Sequence, residues 1–473
     1  MASSRAKYLA KNTVLFTISS FGSKLISFFL VPLYTNVLST SDYGAADLIS
    51  TTVKLLLFVF SLNMAAGVLR FSIDNDEYHV SYLHFGLRIF FVGFAILGVV
   101  LIPVINAGAF GFNSTSYCYI LSMYFFLGLH EILSNYLRAV DKITLIVIAG
   151  IATTLVTVTS NIIFLLVLKA GFTGYMLSII LGQVIACIIL LVFGKLQFKN
   201  QPRLSFEQKK EILLYSVPLI FNGIAWWINQ SLDKYFITSM LNPGENGIYA
   251  VASKIPTILS TCLSIFMQAW NLSAIKEYNS KDSAAFYTHT YKTLRVFLSV
   301  CTSVLIIISI PLARIMFAKD FFVAWQYSSI LLISGLFSGL SSFWGSIFSA
   351  SKKSSLFVYS TVAAAIVNVI LNALLIPRYK VYGATTATAI SFFTMWLIGY
   401  ICVQRIKRLE ISAFREGFIF CILVIQIVLE NCEQHYYPVQ IILIALLAFV
   451  SKDELMSLSK IIKSFVRVKR QNR

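Results

Sequence analysis

The chain has 473 residues, of which 58% are hydrophobic and only 12% charged, with a formal net charge of +18. Soluble domains carry about 25% charged residues, so this composition excludes an ordinary soluble enzyme and points to a single polytopic membrane domain. The positive charge does not imply nucleic acid, because the basic residues sit at the breaks between apolar runs.

Apolar runs of roughly 18–25 residues, each able to cross a ~30 Å hydrocarbon core as a helix, follow one another from Asn12 to Val450. The predicted spans are 12–34, 45–66, 83–104, 117–137, 143–167, 174–194, 213–235, 247–270, 294–316, 328–349, 356–376, 383–403, 416–430 and 438–451. Arg5, Lys7 and Lys11 precede the first run as in a secretory signal, but the run is too long and further spans follow it. Asn113-Ser-Thr forms a glycosylation sequon in a predicted outer loop. The basic tail Lys460–Arg473 carries Ile461, Ile462, Phe465 and Val466 and suits the anionic inner leaflet.

Of the 38 Lys and Arg residues, Lys169, Arg314, Lys319, Arg378 and Lys380 fall on one side of the membrane. Lys24, Lys54, Lys234 and Lys254 lie inside spans, and all the others fall in the termini and the alternate loops. The positive-inside rule therefore places both termini in the cytoplasm, with an even number of spans. The expected fold class is an all-α polytopic membrane protein of about fourteen transmembrane helices. The expected domains are a six-helix lobe (1–196), a cytoplasmic linker (197–210), a second six-helix lobe (211–408), and extra helices with the tail (409–473). A faint repeat relates the lobes. Thr35-Asn-Val-Leu-Ser-Thr-Ser-Asp-Tyr-Gly44 matches Thr238-Ser-Met-Leu-Asn-Pro-Gly-Glu-Asn-Gly247, and Gly174 opens span six as Gly383 opens span twelve. Two six-span halves related by an axis along the membrane normal are a common transporter plan.

Several reaction classes lack their residues. The seven cysteines are scattered without a C-x-x-C pair, the five histidines form no H-x-x-x-H pattern, and no phosphate-binding loop precedes a helix. No metal, cofactor or ATP hydrolysis is expected.

What remains is polar chemistry inside the spans. Thr17, Ser20, Lys24 and Ser27 share one helix face, as do Asp47, Thr51 and Lys54, and then Lys254, Thr257, Thr261, Ser264 and Gln268. Span seven holds Asn222, Trp226, Asn229, Gln230 and Asp233, and span four holds Glu131, Asn135 and Arg138. A mid-bilayer lysine costs about 2.5–3.5 kcal/mol on insertion scales, so such residues face a bundle interior or a wet cavity. A structural ion pair such as Asp47 with Lys54 is the plainer reading, and Lys234 and Arg138, near span ends, suit snorkelling. Together the stripes suggest a polar cavity with excess cationic charge, suited to an anionic solute such as a phosphate.

Gly22-Ser-Lys-Leu-Ile-Ser-Phe-Phe-Leu-Val-Pro-Leu-Tyr-Thr-Asn36, followed by Leu38-Ser-Thr-Ser-Asp-Tyr-Gly44, resembles the opening of Wzx-type polysaccharide flippases. Ser216-Val-Pro-Leu-Ile, Asp233-Lys-Tyr-Phe-Ile and Gly247-Ile-Tyr-Ala-Val-Ala-Ser-Lys254 are similar to the family's seventh and eighth helices. Gln268-Ala-Trp270, Asn372-Ala-Leu-Leu-Ile-Pro377 and Tyr382-Gly-Ala384 also fit, so the likeness covers roughly residues 10–405. It implies the multidrug/oligosaccharidyl-lipid/polysaccharide exporter superfamily, in which two lobes open alternately to each side. It also implies a relationship to lipid II flippases, in which basic residues of helices one, two and eight contact a diphosphate. Lys24, Lys54 and Lys254 lie on those helices here, although the family residues are often arginine.

The expectation is a bacterial plasma-membrane flippase, not an enzyme, for a polyprenyl-diphosphate-linked oligosaccharide. Lys24, Lys54 and Lys254 would bind the diphosphate. Ser20, Thr51, Asn222, Trp226, Asn229 and Gln268 would line the sugar cavity, with Asp47, Glu131 and Asp233 as ion-coupling candidates. The expected partners are the lipid bilayer, a polysaccharide polymerase and chain-length proteins. Two alternatives are an ion-coupled multidrug or cation exporter, which should favour acidic cavity residues, and a membrane-embedded polymerase or acyltransferase, which needs converging catalytic groups near the surface.

Overall fold

A computed structural model describes residues 28–74, 77–196, 202–432 and 437–456. The proposed roles of Lys24 and Ser20, and of the basic tail, lie outside the described residues. The described chain is helical, without strands, and divides into two compact units, 1–250 and 251–473. Nine described helices, and one bent pair, are long and apolar enough to cross a bilayer. The protein is an integral, polytopic membrane protein of the all-α class.

In the first unit the helices are α1 (Val31–Val37), α2 (Thr40–Phe60), α3 (Met64–Asp74), α4 (His79–Asn106) and α5 (Ser114–Ala139). They continue as α6 (Ile143–Asn161), α7 (Gly171–Phe193) and α8 (Phe206–Met240), and α9 (Pro243–Ala252) reaches the unit boundary. Local chemistry sets their ends. Ser39 caps α2 by accepting from the Asp42 amide at 3.1 Å, and Asn113 caps α5 by accepting from the Ser116 amide at 2.9 Å. Ser205 and Gln208 form a reciprocal capping box at the start of α8.

The run predicted as 45–66 does not continue straight. It stops at Phe60, and Leu62 and Asn63 take φ values of 49° and 51° before α3 begins. Left-handed backbone in two successive non-glycine residues is uncommon. α6 ends in a π-helical turn, Ile162–Val167, where buried Asn161 donates to the Tyr34 hydroxyl at 3.1 Å. The core of this unit lies among α2, α4, α5 and α7, with Phe90 stacked on Tyr124 at 5.4 Å. The outward faces are apolar, as in Phe91, Val92, Ile96 and Val99 on α4.

The second unit contains α10 (Pro256–Glu277), α11 (Ser283–Ile307), α12 (Ser309–Met316), α13 (Trp325–Ala350), α14 (Ser355–Ile406), α15 (Ala413–Glu430) and α16 (Tyr437–Val450). Predicted span eight is broken: α9 and α10 meet at an angle of 49° around residues 253–255. The predicted spans 356–376 and 383–403 are the two arms of α14, which breaks at Lys380 (φ 49°, ψ −130°), three residues after Pro377. The arms pack on each other, since Ser391 donates to the Ala364 carbonyl at 2.9 Å. The core stacks Trp270 on Phe343 at 4.2 Å and Tyr291 on Trp344 at 4.5 Å.

Buried polar groups tie α15 and the chain after α16 into this unit. Arg295 on α11 is 1% exposed and holds Glu416 at 2.6 Å and Glu454 at 3.5 Å. Arg415 holds the other Glu454 oxygen at 2.7 Å, and Tyr291 donates to Glu416 at 3.1 Å. At the far end of α15, buried Glu430 accepts from Ser309 and Ser329.

Candidate functional site

The first unit bears an open cavity of about 630 Å³ walled by α2, α5, α6 and α8. This is within the usual range for a small-molecule pocket. Helical spacing explains the walls. Glu131, Ser134, Asn135 and Arg138 recur on one face of α5, and Gly223, Trp226, Gln230 and Ser231 on one face of α8. Lys54 and Phe58 come from α2, and Asn63 from the left-handed turn that follows it. A Cβ on Gly223 would lie 2.8 Å from the Phe58 ring, so the absence of a side chain lets α8 approach α2. Among the described residues, the cavity lining holds two cations, Lys54 and Arg138, against one carboxylate, Glu131. It is a cationic but not purely basic chamber with apolar walls.

The stripe Asp47–Thr51–Lys54 is divided by the tertiary structure. Asp47 pairs with Lys234 at 2.8 Å and not with Lys54. Lys234 is therefore an ion-pair partner, 13% exposed, and not a snorkelling side chain. Its Nζ also donates to the Thr51 hydroxyl at 3.4 Å, while Trp227 Nε1 donates to the Thr51 carbonyl at 3.1 Å. Lys54, one turn further on, is exposed into the cavity.

Asn229 and Asp233 are fully buried on α8. Asn229 donates back to the Ala225 carbonyl at 3.0 Å, and Asp233 accepts from the Tyr249 hydroxyl. Trp226 and Glu131 line the cavity, and Asn222 is half-buried on α8. Lys254 and Gln268 are half-buried and belong to the second unit. The hydroxyls of Thr257 and Thr261 on the Lys254 stripe donate to carbonyls of their own chain, at Lys254 and Thr257.

His130, like Ser134 and Trp227, is a cavity residue that sequence reasoning passed over. It sits beside Glu131 with Nδ1 2.7 Å from Gln183 Oε1 on α7. No local pattern marks it, because its partner is 53 residues away. Arg138 was legible through its spacing from Glu131 and Asn135, but its position at the span end suggested the interface.

A second feature of this unit is the seam between α2 and α9. A Cβ on Gly44 would lie 1.9 Å from the Pro243 carbonyl oxygen, and a Cβ on Gly247 would lie 1.9 Å from the Thr40 carbonyl oxygen. Asn246 donates to the Gly44 carbonyl at 2.8 Å. These are the paired positions of the repeat 35–44 and 238–247, so the two copies cross reciprocally, glycine against backbone.

Residues 9–271, more than half of the chain, match the polysaccharide biosynthesis protein family. The chain belongs to that family. It is 22% identical over 426 residues to an uncharacterized membrane protein of Methanocaldococcus jannaschii, covering 85% of this chain and 99% of that protein. It is 24% identical over 193 residues to the probable low-salt glycan biosynthesis flippase Agl15 of Haloferax volcanii, covering 40% of each. The solved structure of the lipid II flippase MurJ in an inward closed conformation superposes with a TM-score of 0.71 at 15% identity, covering 95% of this chain and all of that one. The chain thus has the lipid II flippase fold, as the Wzx-type resemblance implied.

Proposed function

We propose that this polysaccharide biosynthesis family member is a flippase, and not an enzyme, that moves a polyprenyl-diphosphate-linked oligosaccharide from the cytoplasmic to the outer leaflet of a bacterial plasma membrane. The observation that carries the reading is the cation-bearing cavity of about 630 Å³ built from the spans themselves. Lys54 would attract the diphosphate, and Trp226, with its broad apolar face and indole N–H, would pack on sugar. Thr51, Asn222 and Asn229 would support that surface, while Lys24, Ser20, Lys254 and Gln268 enter through the resemblance. By the positive-inside count both termini, and the end of the unit bearing this cavity, would lie in the cytoplasm. Two six-helix lobes would rock to expose the headgroup alternately. With no nucleotide motif in the sequence, the energy would come from an ion gradient, the membrane potential or substrate removal. Among Asp47, Glu131 and Asp233, the free carboxyl edge that best suits ion coupling is that of Glu131, in the cavity wall. A polymerase and chain-length proteins would act on the product outside.

The deciding experiment uses a deletion strain and a membrane-impermeant glycosidase or label. The reading expects the lipid-linked unit to accumulate protected from the outside and to become accessible when the gene is restored. Accessibility without the protein would overturn it. Glu131 in the cavity wall favours a second reading, an ion-coupled cation exporter of the same fold, and efflux of cationic dyes by expressing cells would decide for it.

A further inference from the structure

A separate cavity of about 390 Å³ lies beside α4 and the segment that leads into α8. Its floor is one stripe of α4: Ser81, His84 and Arg88 at spacings of three and four. Its opposite wall is Arg203, buried Leu204, and Lys209 on the first turns of α8. The wall is built rather than loosely draped. Ser81 donates to the Pro202 carbonyl at 2.7 Å, and Leu204 packs with Met64, Tyr82 and Ile212 in a small core. Three cations and a histidine therefore converge on one concavity, and none of the described residues lining it is acidic.

The geometry points to a phosphate-binding pocket in this cavity, distinct from the transport chamber, whose ligand is an anionic phosphorylated headgroup or a small phosphorylated solute. Arginine donates in a planar fork and lysine as a point charge, and both suit phosphate oxygens. Position favours the lipid. Arg88 is exposed on α4 one turn before Phe91 and Val92, which are 46% and 57% exposed on the apolar outer face. A phosphodiester seated between Arg88, Arg203 and Lys209 would leave acyl chains against those two side chains. Basic pockets at the ends of membrane helices bind anionic lipid headgroups in this manner. The ligand would tie the 202–209 segment to α4. The inference does not depend on what the transport chamber carries.

The test is ligand-dependent melting of the purified full-length protein in neutral detergent, titrated with phosphatidylglycerol, phosphatidylcholine or inorganic pyrophosphate. The expected result is a rise in Tm with phosphatidylglycerol and none with phosphatidylcholine. R88Q should weaken the apparent affinity about five-fold, and R88Q/R203Q about 25-fold, at about 1 kcal/mol per cation. K281Q, on an exposed loop of the other unit, should leave the response intact. A rise with pyrophosphate alone, lost in the same variants, would assign the pocket to a soluble phosphorylated ligand. Equal responses to the two phospholipids with none to pyrophosphate, or a full response in R88Q/R203Q, would overturn the inference. Should the double variant fail to fold, R203Q, which alters one exposed loop side chain, carries the same five-fold expectation.

Discussion

Substituting Gly44 by alanine tests the reciprocal seam between α2 and α9. The new methyl carbon would sit 1.9 Å from the Pro243 carbonyl oxygen and 2.7 Å from the Gly247 amide nitrogen. Carbon and carbonyl oxygen tolerate about 3.3 Å, so the helices must separate by about 1.4 Å. Both neighbours are backbone, so no side-chain rotation relieves the overlap. Overpacking of this kind costs about 1–3 kcal/mol, which lowers the population of the packed seam by about 5- to 150-fold. Gly247→Ala meets the Thr40 carbonyl in the same way and should cost a similar amount. The double variant should cost less than the sum, because the first methyl already opens the seam for the second. Thermal unfolding in detergent reads the stability. The seam itself is read by an oxidative cross-link between cysteines placed at Ser41 and Gly244, since a Cβ at 244 lies 3.3 Å from Ser41 Oγ. Gly417→Ala is the control, with nothing within 4 Å of its added carbon. If Gly44→Ala matches Gly417→Ala in both melting and cross-linking yield, the seam is not a close backbone contact and the reasoning fails.

Asp47→Asn leaves Lys234 without its carboxylate, and at their partial burial the expected loss is about 1–3 kcal/mol. A lower Tm that is recovered in the charge-swapped Asp47→Lys/Lys234→Asp variant checks the pairing. Glu416→Gln removes the nearer of the two carboxylates holding buried Arg295 and should cost about 3–5 kcal/mol, seen as a clear drop in Tm. Lys54→Gln should reduce surface polysaccharide at normal expression, while Lys54→Arg should retain most of it. An unchanged level in Lys54→Gln would remove the cavity cation from the mechanism.

The fold was legible because its main signals are local. Apolar run length marks most crossings, and the gap between the predicted spans 356–376 and 383–403 falls at the break at Lys380. The repeat of 35–44 in 238–247 was visible as well, but not that the two copies lie against each other. The site was only partly legible. Glu131 and Asn135 share a face with Arg138 through spacing, whereas His130 depends on Gln183 from another helix. Lys54 and Lys234 are both lysines within apolar runs, yet one faces the chamber and the other is consumed by Asp47.

The sequence by itself determined that this protein lives in a membrane, roughly where it crosses, and that charge is retained inside the crossings. These follow from hydrophobic length and from the cost of burying an ion, quantities that accumulate along a chain and need no knowledge of neighbours. Only the tertiary structure decided which charges pair across helices, as Asp47 does with Lys234, and which line the chamber, as Lys54 does. Asp47 is seven residues from Lys54 but pairs with Lys234, because a helix face selects candidates and the packing of another helix selects the partner.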